Sequence, residues 1–311
     1  MRFYLGTHQP SWLARDLGVP MLVSHRRLAG RRSLPRATHR WALDSGGFTE
    51  LSLYGRWRTD AATYVTAVRR YATEIGNLDW AAPRDRMTED HVLARTGLSL
   101  RTHQHLTVVD YLRLRDLDPE LPFIPVLQGQ SITDYHRCAD MYEQRGVDLS
   151  TLPLVGVGSV CRRQHTVEVE RIVRSLAARG YKLHAFGAKI LGLARYADAL
   201  ASSDSASWSL HGRHLPGCTP GHRSESNCLT YAMDWYSRLR VRLDTPPGCT
   251  ASAGRPTRPA TPRPPNRRPR ATAPSRRSAT SPSRPSRSHP PRHHATDTTT
   301  DHTPTTHEGR P

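Results

Sequence analysis

Short apolar runs, each closed by polar or glycine-rich punctuation, recur eight times before residue 244, and that rhythm narrows the possible folds more than any other feature. The runs lie at 3–5, 21–23, 41–43, 78–82, 123–127, 154–157, 182–186 and 200–203. Each is too short for a buried helix and suits a strand buried on both faces. Helical patterns follow most of them. Tyr64, Val68, Tyr71 and Ile75 share one helical face behind a Thr59 or Asp60 N-cap. Val169, Ile172, Val173 and Leu176 repeat that spacing, with Gly180 as the C′ residue. Two further helices are expected around Leu106–Leu112 and Tyr135–Tyr142, and a last one from about Ser226 to Leu239. Eight strands alternating with helices predict an α/β fold, a (β/α)8 TIM-type barrel. A doubly wound open sheet is the alternative, but no glycine-rich phosphate loop follows the first strand.

Composition divides the chain in two. Residues 1–244 have globular composition and enough length for one sizeable core. Residues 245–311 are rich in Pro, Arg, Ser, Thr and His with almost no aliphatic side chains, so they read as a disordered basic tail. Twelve Arg against three acids give that tail +9, half of the formal +18 of the whole chain. A basic balance favours a polyanionic partner, and a flexible Arg-rich segment adds salt-sensitive phosphate contacts. Lysine occurs only at Lys182 and Lys189, so GC-rich coding also accounts for part of the arginine excess. Five cysteines with uneven spacing do not form a disulfide framework. With neither a signal-peptide core near Met1 nor a membrane-length apolar run, the expectation is a reducing, cytoplasmic protein without membrane contact.

Barrel enzymes keep their chemistry just past the strand ends. The residues expected there include His8, Asp44, Asp85, Gln128, Gly156, Gly158, Gly187 and Asp204. The sharpest motif is Leu43-Asp44-Ser45-Gly46-Gly47-Phe48, a carboxylate and a hydroxyl on a two-glycine turn that lets backbone approach a flat ligand. Glycosyl transfer needs two carboxylates about an anomeric carbon, one to attack or stabilise and one to move protons. Gln128 offers both a donor and an acceptor, as reading a purine edge requires. Plainer roles exist for each residue. Asp85 would serve as a salt-bridged loop acid, Gln128 as the cap of a strand end, and Asp204 as a helix N-cap.

At these positions the chain resembles the tRNA-guanine transglycosylase superfamily, and more closely its DNA-directed branch, deoxypurine in DNA protein A. The resemblance runs from Tyr4-Leu5-Gly6-Thr7-His8-Gln9-Pro10 to the helix after Cys228. It rests on the Asp44 motif, on Phe123-Ile124-Pro125-Val126-Leu127-Gln128-Gly129, on Leu154-Val155-Gly156-Val157-Gly158-Ser159 and on Ser203-Asp204-Ser205. It implies exchange of guanine in nucleic acid for a 7-deazaguanine such as preQ0, through a covalent glycosyl-enzyme. Asp204 matches the nucleophile and Asp44 the acid/base; Ser45, Asp85, Gln128 and the backbone at Gly158 match the base pocket. No nucleotide cofactor is implied, since base exchange leaves the number of glycosidic bonds unchanged.

The resemblance also implies a structural Zn2+ site as a small insertion before the last helix. Cys218, His222 and Cys228 match three ligands, with Glu225, His214 or His211 open as a fourth. The implied partner is DNA, with tRNA as the alternative and further proteins of a DNA-modification system as companions. A catalytically silent nucleic-acid-binding protein is a different class of reading, and it needs neither Asp44 nor Asp204. A plain glycoside hydrolase is disfavoured by the scarcity of aromatics for sugar stacking.

Overall fold

The computed structural model describes residues 1–244; the reading of 245–311 as a disordered tail lies outside the described residues. Eight strands form one all-parallel sheet: β1 (Arg2–Thr7), β2 (Met21–Ser24), β3 (Trp41–Asp44), β4 (Leu78–Ala81), β5 (Val126–Leu127), β6 (Val155–Val157), β7 (Leu183–Ala185) and β8 (Ser202–Ser205). Their order is β4-β3-β2-β1-β8-β7-β6-β5, so the first and last strands of the sequence pair at its centre. The sheet is curled. At its ends, an isolated parallel bridge joins Ala81 of β4 to Phe123 in the segment leading into β5, with Ala81 N–H donating to Pro122 O at 2.9 Å and Ile124 N–H to Ala81 O at 3.1 Å.

Strand alternation sorts the core into two sets. Phe3, Leu5, Met21, Val23, Trp41, Leu43, Val155, Val157, Leu183 and Ala185 join the large cluster shared with the helices. Tyr4, Leu22, Ala42, Trp80, Ala82, Ile124 and Leu154 form a second, smaller cluster on the concave face, with Phe186 packed against it. That parity positions the site. Residues two further along the strands from Leu22, Ala42 and Ser202 are Ser24, Asp44 and Asp204, which continue the concave face toward the strands' C-terminal ends.

The helices are α1 (His25–Leu28), α2 (Gly47–Tyr54), α3 (Ala61–Glu74), α4 (Asp90–Thr96), α5 (Leu100–Leu117), α6 (Ile132–Glu143), α7 (Val167–Ala177), α8 (Ile190–Tyr196), α9 (Ser207–Gly212) and α10 (Leu229–Asp244). Asp60 caps α3 by accepting from Thr63 N–H, as its position predicts. Three expectations shift. Helix α7 is capped at Ala178, so Gly180, with φ +84°, closes the turn one residue later than a C′ glycine. The last helix starts at Leu229, because Glu225–Asn227 forms a separate 3-10 turn ahead of it. Asp204 lies inside β8 and Ala206 occupies the N-cap of α9, so Asp204 is not a helix cap. Among the described residues no helix is long and apolar enough to cross a membrane.

Candidate active site

The Asp44 motif owes its shape to its glycines. Gly46 adopts φ +79° as the N-cap of α2, and a Cβ there would meet the Arg26 side chain at 2.8 Å. The tight turn folds Gly46 N–H back onto Asp44 Oδ2 at 3.2 Å, while the Ser24 hydroxyl from β2 also hydrogen-bonds the carboxylate. Burial outweighs these bonds and raises the Asp44 carboxyl above its ordinary range, and the negative charge of Asp204 adds to the rise.

Asp204 is held differently. Its Oδ1 accepts from Gly187 N–H at 2.9 Å and lies 3.4 Å from His184 Nε2. Oδ2 has no hydrogen-bond partner among the described residues. The two acids thus differ in setting: Asp44 has its carboxyl raised above the ordinary range, and Asp204 is anchored through one oxygen with the other unengaged.

Asp85, Gln128 and Ser159 form a buried chain of side chains. Gln128 Nε2 donates to Asp85 Oδ2 at 2.6 Å, and Ser159 Oγ donates to Gln128 Oε1 at 2.7 Å. Ser45 Oγ reaches Asp85 Oδ1 at 3.5 Å. Burial pushes the Asp85 carboxyl up to about 7; the charge of Asp44 adds to this and the Gln128 hydrogen bond opposes it. The flanking arginines do not neutralise Asp85, since Arg84 and Arg86 both turn to Asp110, at 3.5 and 2.5 Å. Asp85 is consequently not a salt-bridged loop acid. Gln128 does more than cap its strand as well: its backbone carbonyl accepts from Gln104 Nε2 at 2.6 Å, while its side chain serves the chain just described. Gly158 lies against that side chain, and a Cβ on it would sit 2.7 Å from Gln128 Cδ.

The remaining rim residues contribute less. His8 follows β1 half-buried, and burial together with Arg27 and Arg213 lowers its affinity for a proton. Three further residues at the site carry no role predicted from the sequence. Ser24 is paired in register with Asp44, so its proximity follows only once the strand pairing is known. Ser159 takes φ +54°, and its hydroxyl lies 2.7 Å from Gln128 Oε1 and 3.0 Å from Glu89 Oε2. His184 is a polar residue in the middle of an apolar strand, a signal that was available. Phe48, 40% exposed, presents its ring beside His91 at 5.7 Å and under the Arg162 guanidinium at 5.6 Å.

A second cluster lies beside the last helix. Donor atoms of Cys218, His222, Glu225 and Cys228 all fall within 4.8 Å of one another, whereas His211 and His214 are not part of the group. The Cys218 and Cys228 sulfurs are 3.5 Å apart, and His222 Nδ1 is 3.4 Å from Cys218 Sγ. Tetrahedral zinc with metal–sulfur bonds of about 2.3 Å places paired sulfurs about 3.7 Å apart, so these donors fit such an ion. The Cys218 backbone N–H donates to one Glu225 oxygen, leaving the other for a metal. Two thiols, an imidazole and a carboxylate make a closed, structural donor set that can bind a metal and is compatible with zinc. If they hold zinc, Cys228→Ser lowers the metal content from about one equivalent toward none and lowers the melting temperature. Elemental analysis and a thermal melt test this; metal-free protein of unchanged stability would remove the ion.

Fold and site together define an α/β protein whose ionisable residues collect at the C-terminal ends of a curled parallel sheet, with a metal-ligating group at its last helix. A family model, DeoxyPurine in DNA protein A (DpdA), matches residues 1–253, and the chain belongs to that family. Membership supports DNA 7-deazaguanine transglycosylase activity at the level of the family and makes DNA the consistent partner. No curated protein matches the chain.

Proposed function

We propose that this protein is a DNA guanine transglycosylase that exchanges guanine for a 7-deazaguanine base, such as preQ0, through a glycosyl-aspartate intermediate. The observation that carries this reading is the unequal environment of the two acids. The Asp44 carboxyl is raised above its ordinary range, which suits it to proton transfer, whereas Asp204 is held through one oxygen and presents the other. Asp204 Oδ2 attacks C1′ of the deoxyribose, and the C1′–N9 bond breaks with its electron pair leaving on the guanine. Asp44 delivers the proton that neutralises that base. The incoming base then gives its N9 proton back to Asp44 and attacks C1′, and the ester opens to restore the Asp204 carboxylate. Electrons balance without a redox partner.

Ser45, Asp85, Gln128 and the backbone at Gly158 form the base pocket in this reading. The target guanine leaves the helical stack to reach it, and Phe48 offers an exposed ring on which a base can stack. Cys218, His222, Glu225 and Cys228 would hold a structural Zn2+, which supplies rigidity and takes no part in the reaction. The curled sheet is a closed (β/α)8 barrel on this view, a closure that the Ala81–Phe123 bridge supports.

Nucleoside mass spectrometry of DNA and tRNA, from cells with and without the protein and with deazaguanine synthesis intact, tests the function. A protein-dependent deazaguanine deoxynucleoside in DNA is the expected result. A modified nucleoside in tRNA alone would transfer the same chemistry to RNA. Modification of neither would leave a silent binding protein.

A further inference from the structure

We propose that His184 is the positioning residue for Asp204, holding Oδ1 through its Nε2 hydrogen so that Oδ2 alone faces the sugar. This inference rests on the reading of Asp204 as nucleophile. His184 is fully buried on the concave face of β7. Its ring is wedged among aromatic neighbours, with centroids 4.5 Å from Trp80, 4.6 Å from Phe186 and 6.0 Å from Tyr4. Backbone pairing sets its height, since His184 is in register with Ser202, and Asp204 follows two residues later on the same face. Nδ1 is 2.8 Å from Ser202 Oγ. Nε2 has no hydrogen-bond partner and lies 3.4 Å from Asp204 Oδ1.

An unpartnered polar atom in an aromatic cage is costly. The Asp204 carboxylate explains its retention. A bare Nε2 would set a lone pair against a negative oxygen, so the hydrogen belongs on Nε2 and Ser202 donates to Nδ1. The 3.4 Å separation is long for a hydrogen bond, and such bonds commonly tighten when substrate binds. Gly187 N–H already holds the same oxygen, so the two donors together fix the carboxylate rotamer. When Oδ2 forms its bond to C1′, Oδ1 becomes the ester carbonyl. When the ester opens, charge returns to Oδ1 and the imidazole N–H meets it. His184 touches neither the sugar nor the base; it acts through Asp204.

The test compares full-length wild-type protein with His184→Phe, His184→Gln and Asp204→Asn. Two rates are followed: covalent adduct formation on a guanine-containing duplex DNA, resolved on denaturing gels, and exchange of labelled guanine. Phenylalanine fills the aromatic cage but has no N–H, whereas the glutamine amide places an N–H near the Nε2 position. The inference predicts that His184→Phe slows kcat about 10–100-fold, the range for a hydrogen bond to a charged group, with KM for guanine unchanged. His184→Gln should recover most of that loss. A purely structural role predicts the reverse order, because the apolar ring suits the cage better than an amide. If the phenylalanine variant does not fold, His184→Asn replaces it, since its shorter amide mimics Nδ1 and does not reach Asp204. Wild-type rates in the variant lacking the N–H, or a glutamine variant no faster than it, would overturn the inference. Adduct formation by Asp204→Asn would instead overturn the nucleophile reading on which it rests.

Discussion

Asp204→Asn is expected to yield no covalent protein–DNA adduct and to lose base exchange by on the order of 10^4–10^6-fold, the scale seen when a nucleophile is removed. The substitution is unusually clean. An asparagine Oδ1 still accepts from Gly187 N–H, so the side chain keeps its anchor and the fold its stability. What disappears is the second carboxylate oxygen, replaced by an amide nitrogen that cannot attack C1′. Asp44→Asn is the informative contrast. The amide keeps the bonds at the Gly46 turn but has no proton to deliver, so exchange should fall by about 10^2–10^4-fold while a slow adduct still forms. Denaturing gels on guanine-containing DNA separate the two variants. A robust adduct with Asp204→Asn would assign the attack elsewhere.

The strands were legible because each apolar run is short and ends in punctuation, and the exceptions have identifiable causes. The run 123–127 shrinks to Val126–Leu127 in the structure, because Pro125 has no N–H to give to a ladder. At the other end, β8 occupies Ser202–Ser205, a stretch with no apolar residue at all. Its polarity is satisfied internally, as where Ser203 Oγ donates to Ala185 O at 2.8 Å, so the apolar run at 200–203 marks the strand two residues early. Helices α2 and α4 carry no capping signal in the sequence, since the N-cap of α2 is the left-handed Gly46 and that of α4 is Glu89, neither with a side-chain cap hydrogen bond. The acids themselves were legible, since they stand next to strand ends. Their supports were not. Ser24 is placed by register across strands and Ser159 takes a left-handed backbone angle, neither of which is a property of local sequence, whereas the polar His184 inside an apolar run is a local signal whose partner only the register reveals.

Gly158→Ala is expected to raise KM for the incoming base by at least about 10-fold with a smaller effect on kcat, and to move the pH dependence of that KM. The added Cβ would stand 2.7 Å from Gln128 Cδ, and Gln128 is fully buried, so the amide must swing away. Its bonds to Asp85 Oδ2 and Ser159 Oγ then break together, a loss of roughly 1.5–3 kcal/mol for the one to a carboxylate alone. In the proposed reading Asp85 offers both oxygens as acceptors to the N–H groups of a guanine-type edge when ionised, whereas its protonated form turns one of them into a donor; burial places its proton loss at about 7. In the wild type, KM for the base should accordingly fall as pH rises through that value. The Gln128 hydrogen bond favours the ionised form, so losing it shifts the midpoint to higher pH in the alanine variant. Steady-state exchange measured between pH 6 and 9 on both proteins checks the two effects at once. A folded Gly158→Ala protein with unchanged KM and an unchanged midpoint would show that the Asp85–Gln128 pair does not read the base.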